Sequence, residues 1–155
     1  MADVVETEWQ FEAPDLERVR AWIESQPPHA PLRFEQTRDR EQIDGYFDTA
    51  DWRLFHAGLS LRRRQTGESY ELTLKSLGTS SNGPVARREI TEASPDGRIP
   101  GAGGPVSERV LLIAGRRALQ PLFDVRTRRR SFAVSRDGVQ VATIELDETT
   151  VEPPS

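Results

Sequence analysis

The chain has 155 residues, 35% of them hydrophobic and 30% charged, with a formal net charge of −4. That length holds one domain with a core of its own, and the acidic balance argues against a generic nucleic-acid binder, which carries a basic surplus. There is no cysteine, which excludes disulfides and thiolate metal sites. The first residues lack an apolar signal core and no apolar run approaches the ~18 residues of a membrane span, so no membrane association and a cytoplasmic location are expected.

Residues Val4 to Phe11 alternate weakly and predict a first strand. Pro14 and Asp15 then open a helix whose buried stripe is Leu16, Val19, Trp22 and Ile23, and Pro27-Pro28 ends it. A long polar segment from Arg33 closes with QIDGYFDT, which puts Gln42, Asp44, Tyr46 and Asp48 on one strand face. DWRLFHA at 51–57 predicts a short helical connection. GLSLRRR and YELTLK flank a QTGE turn as a hairpin with Leu59 and Leu61, then Tyr70, Leu72 and Leu74 on one face. The other face carries Ser60, Arg62 and Arg64, then Glu71, Thr73 and Lys75, the only lysine in the chain.

After a loop over SLGTSSNGP, VARREITE predicts a strand with Val85, Arg87, Glu89 and Thr91 on one face. The Gly/Pro-rich SPDGRIPGAGGP is loop, and Ser107 and Glu108 begin a second long helix. FDVRTRRRSFAV and VQVATIELD flank RDGV, whose Asp-Gly signals a hairpin. About seven strands joined mostly by turns, with two or three helices, predict an antiparallel α+β domain.

Nearly every predicted strand has one charged face. Acids stand at Glu6, Glu8, Glu89, Glu145 and Asp147, and bases at Arg62, Arg64, Lys75, Arg87 and Arg129. One reading is an ordinary solvated sheet face. The other is a lined cavity, because the charges segregate by strand: acids on the first and last, bases in the middle. A cavity of that kind needs a divalent cation for its carboxylates and a polyanion for its arginines, whose planar forks bind phosphate oxygens two at a time. The remaining conspicuous residues have plainer readings. His29 and His56 are surface or packing residues, and Trp9, Trp22 and Trp52 are packing residues. Arg126, Arg128 and Arg130 form an exposed strand face, and Arg63 faces outward between Arg62 and Arg64.

In order and spacing, ETE at 6–8, QIDGYFDT at 42–49, GLSLRRR at 58–64, LTLK at 72–75, ARREI at 86–90, TRRRSF at 127–132 and IELD at 144–147 resemble the CYTH domain. That is the fold of the triphosphate tunnel metalloenzymes, and the resemblance covers essentially the whole chain. It implies an eight-stranded antiparallel β-tunnel with helices packed outside, and hydrolysis of inorganic triphosphate or a related compound with Mg²⁺ or Mn²⁺. The alternative it leaves is a non-catalytic polyphosphate-binding module, with thiamine triphosphatase or adenylate cyclase-like activity as further options. Matched position by position, it implies metal ligation by Glu6, Glu8, Glu145 and Asp147, and phosphate binding by Arg62, Arg64, Lys75, Arg87 and Arg129. Glu89 fits the family's R-x-E strand, and Gln10 stands where the family's ExExK has lysine. The family continues past ELDETTV into a further strand, so residues 1–155 are expected to be one CYTH-like domain from the N-terminal part of a longer protein. A CHAD-like domain would follow it.

Overall fold

The computed structural model describes residues 9–78, 89–99 and 103–154. Within them run α1 (Leu16–Glu24), β1 (Arg33–Thr49), α2 (Arg53–His56), β2 (Leu59–Thr66), β3 (Ser69–Ser76), β4 (Glu89–Ala93), α3 (Pro105–Ala114), β5 (Leu119–Arg136) and β6 (Val139–Glu152). The six strands form one sheet in the order β4-β3-β2-β1-β5-β6, and the pairings of β1 with β2, β2 with β3 and β3 with β4 are antiparallel. The architecture is α+β, as expected. Among the described residues, β4 and β6 are the two edges, so the sheet is not closed.

Three boundaries differ from the sequence reading. Most of the first predicted strand, and the 85–88 part of the fifth, lie outside the described residues, and Trp9 to Phe11 are not in a strand. The polar stretch from Arg33 is strand throughout, which makes β1 17 residues long. Helix α3 begins at Pro105, a residue suited to the first turn, rather than at Ser107.

The chain divides into two compact units. The first comprises residues Met1–Thr37 with Ser131–Leu146, and the second Arg38–Arg130 with Asp147–Ser155. In the first unit Asp15 caps α1 by accepting a hydrogen bond from the Arg18 amide at 3.1 Å. The helix turns Ile23 inward onto Phe132 and Leu146, with Leu16, Val19, Phe34 and Ile144 packed around them.

In the second unit the apolar face of the β2–β3 hairpin supplies Leu61, Leu72 and Leu74. They pack with Leu54 of α2 and with Val106, Val110 and Ala114 of α3. Each fully buried leucine there contributes roughly 1.5–3 kcal/mol over exposure. The helices therefore cover the hydrophobic side of the hairpin and leave its other face to the charged residues. Asp48 anchors α2: its carboxylate accepts the Leu54 and Phe55 amides at 3.0 Å each.

Two expectations fail on packing. Trp9, Trp22 and Trp52 are all exposed, at 78%, 56% and 46%. Trp22 does meet Phe34 edge to face at 5.7 Å. Arg130 is buried and reaches Glu148 at 3.8 Å, so it does not share the exposure of Arg126 and Arg128. Arg63 does project from the opposite face to its neighbours, but packs there rather than standing in solvent. Its guanidinium lies 5.1 Å from the Phe47 ring centre and donates to the Gly97 carbonyl.

Candidate functional site

Register places the polar face of the second unit in rows. Arg64 of β2 stands opposite Asp44 of β1 and Glu71 of β3; Arg62 stands opposite Tyr46 and Thr73; Ser60 pairs with Lys75, which stands opposite Glu89 of β4. Strand alternation brings these residues to one face because each is an even step from the next along its strand.

The rows are linked by charge. Asp44 is buried and takes both Arg64 donors, from Nε and Nη2, at 2.7 Å each. This bidentate bond raises the pKa of the Arg64 guanidinium above its ordinary value, against desolvation and the like charge of Arg129. Lys75 Nζ meets Glu89 at 2.9 Å. Arg129 grips Asp147 through two bonds of 2.7 and 2.6 Å. Tyr46 stacks on Phe123 with ring centres 4.8 Å apart. Burial, reinforced by Asp44, pushes the Tyr46 hydroxyl up, so it stays a neutral donor.

Arg62 is the exception. Its side chain is only 9% exposed, yet Asp44, Glu71 and Glu89 come no nearer than 3.9 Å. Its Nη2 donates to Thr73 Oγ1 at 3.1 Å, and its buried Nε has no partner among the described residues. A guanidinium carries five donors, and leaving them unmade in a buried site is costly unless an acceptor arrives. On the same strand face as Asp44, the Arg40 Nε and the Gln42 Oε1 are likewise buried without a partner.

Of the residues expected in the site, Arg62, Arg64, Lys75, Glu89, Arg129 and Asp147 all fall in the second unit. Glu145 and Gln10 belong to the first; Glu145 lies 3.4 Å from Ser131 Oγ, and Gln10 is exposed. Glu6, Glu8 and Arg87 lie outside the described residues. The sequence reading left out Asp44 as a site residue, although the alternation of Gln42, Asp44, Tyr46 and Asp48 already placed it on the charged face. Among the described residues the acids of the polar face do not stand apart from the bases: Asp44, Glu71, Glu89 and Asp147 each sit beside one.

That arrangement bears on a metal. Among the described residues, no group of three or more His, Asp or Glu side chains could hold an ion. The carboxylates of the polar face are engaged by cations, so they do not by themselves form the donor set a divalent ion needs. No described helix is long and apolar enough to cross a membrane.

The CYTH domain family model matches residues 16–152. No curated protein matches the chain. Among solved structures, a candidate adenylate cyclase from Bacillus halodurans is 17% identical with a TM-score of 0.47, covering 81% of this chain and 80% of that one. HpAC1 from Hippeastrum, a candidate adenylyl cyclase described as having a dominant triphosphatase activity, is 17% identical with a TM-score of 0.48. It covers 74% of this chain and 68% of its own.

Proposed function

This chain belongs to the CYTH family, a family of metal-dependent proteins with triphosphatase and adenylate cyclase-like functions, and from that premise we propose that it binds and hydrolyses inorganic triphosphate or a related triphosphate compound. The observation that carries the proposal is Arg62: a buried guanidinium whose Nε has no partner among the described residues, flanked on one face by Arg64 and Lys75. Phosphoryl oxygens are the acceptors that match such a fork, and charge-assisted bonds of this type are about twice as strong as neutral ones.

In this reading Arg62 holds the phosphate that Lys75 and Arg64 flank, with Arg87 and Arg129 as further phosphate ligands. In hydrolysis a water oxygen bonds to the terminal phosphorus while the terminal phosphoanhydride bond breaks, its electron pair leaves with the departing pyrophosphate, and the water's proton passes to solvent. The guanidiniums stabilise that charge as it develops, in a site where they need not reorganise. Mg²⁺ or Mn²⁺, when bound, neutralises phosphate charge, and Glu6, Glu8, Glu145 and Asp147 are the carboxylates we assign to it. The described residues alone do not assemble that set.

Phosphate release from tripolyphosphate with Mg²⁺ or Mn²⁺ tests the proposal. Arg62→Ala should lower tripolyphosphate affinity or turnover roughly 10- to 100-fold, the value of one to two charged hydrogen bonds. Full activity in Arg62→Ala would sink it. The pairing of the polar-face acids with bases favours a second reading, a polyphosphate-binding module without catalysis. That reading predicts tripolyphosphate binding with no phosphate release under either metal.

A further inference from the structure

The ion pairs of the polar face differ in how tightly they are held, and that difference separates their roles. Asp44 is buried and gives both oxygens to Arg64. Among the described residues, Glu89 is 39% exposed, sits on the five-residue edge strand β4, and makes one close contact, to Lys75 Nζ at 2.9 Å. Its other oxygen stands 3.9 Å from Arg62, too far for a hydrogen bond. An anion that satisfies Arg62 therefore arrives beside a carboxylate already occupying Lys75.

We propose that Glu89 is an internal counter-ion that competes with the anionic ligand for Lys75 and so sets the site's affinity. This rests on the reading of the polar face as a phosphate site. When the ligand binds, the Glu89 side chain turns toward solvent, which its place on an edge strand permits, and Lys75 Nζ passes to a phosphoryl oxygen. Asp44 cannot yield in this way, because both its oxygens are bonded in a buried position.

Tripolyphosphate binding measured by calorimetry in chelator, without added metal, isolates the anion. Wild type, Glu89→Gln, Lys75→Met and the double variant are compared, with thermal melts to verify folding. Glu89→Gln should bind about two- to fivefold tighter than wild type, the scale of one partly exposed ion pair. In the Lys75→Met background that gain should shrink, since the contested group is gone. Unchanged or weaker binding by Glu89→Gln, or an equal gain in both backgrounds, would overturn the competition. Failure of the wild type to bind tripolyphosphate at all would instead remove the phosphate-site reading, and the competition with it.

Discussion

Three acids of the second unit show how position decides what a carboxylate does. Asp48 spends its oxygens on the backbone amides that open α2. Asp44, four residues earlier on the same strand face, spends its two on Arg64. Glu89 touches a lysine from an edge. Removing the Asp44 carboxylate leaves two guanidiniums facing a hole in a buried position, and breaking a pair of that kind costs about 3 kcal/mol. Asp44→Ala should lower unfolding free energy by about that amount in denaturant titrations, while Glu71→Ala, which removes a half-exposed carboxylate 3.9 Å from Arg62, should change it little. Equal losses would show that Asp44 is not the anchor of the basic row.

At the scale of elements, helix α3 depends on an acid from the strand beside it. Glu92 of β4 accepts the Val106 amide at 2.9 Å and the Ser107 amide at 3.2 Å, and its other oxygen meets the Ser107 hydroxyl. A methyl group placed on Gly104 would fall 2.2 Å from that carboxylate. Gly104→Ala should therefore push Glu92 out of its capping position and lose about 1 kcal/mol, the usual value of a cap, read as a lower melting temperature. Strand β1 shows a different coupling. Asp39 receives two bonds from Arg128 of β5, at 3.1 and 2.9 Å, and this holds its carboxyl below the usual aspartate range. A carboxyl depressed on folding stabilises above its unfolded value, near pH 4, and loses that contribution as pH falls through its folded value. The melting difference between wild type and Asp39→Asn should therefore be small but constant from about pH 5 to pH 8, and should shrink as pH falls below about 4. A difference that persists in acid would exclude the ion pair as its source.

For the whole molecule, charge is strongly local: a chain with net charge −4 concentrates bases on one face of its hairpin and answers them with acids. We expect single-stranded RNA not to displace bound tripolyphosphate at equal phosphate concentration, because a net acidic surface offers no counter-ion release along an extended strand. Displacement by RNA in a competition measurement would refute this. Much of that pattern is already legible in the residues. The alternation of GLSLRRR and YELTLK determines which side chains share a face, since strand period is set by covalent geometry. Asp15 before a periodic stripe determines the start of α1, and Asp-Gly at 137–138, both with positive φ, determines the last turn. What only the tertiary structure decided is which charges meet. Asp44 and Arg64 are twenty residues apart, Arg129 and Asp147 eighteen, Asp39 and Arg128 eighty-nine. Partners at such distances are selected by register and strand order. Period alone carries no information about these, because a slip in pairing changes which residues meet while the alternation within each strand stays the same.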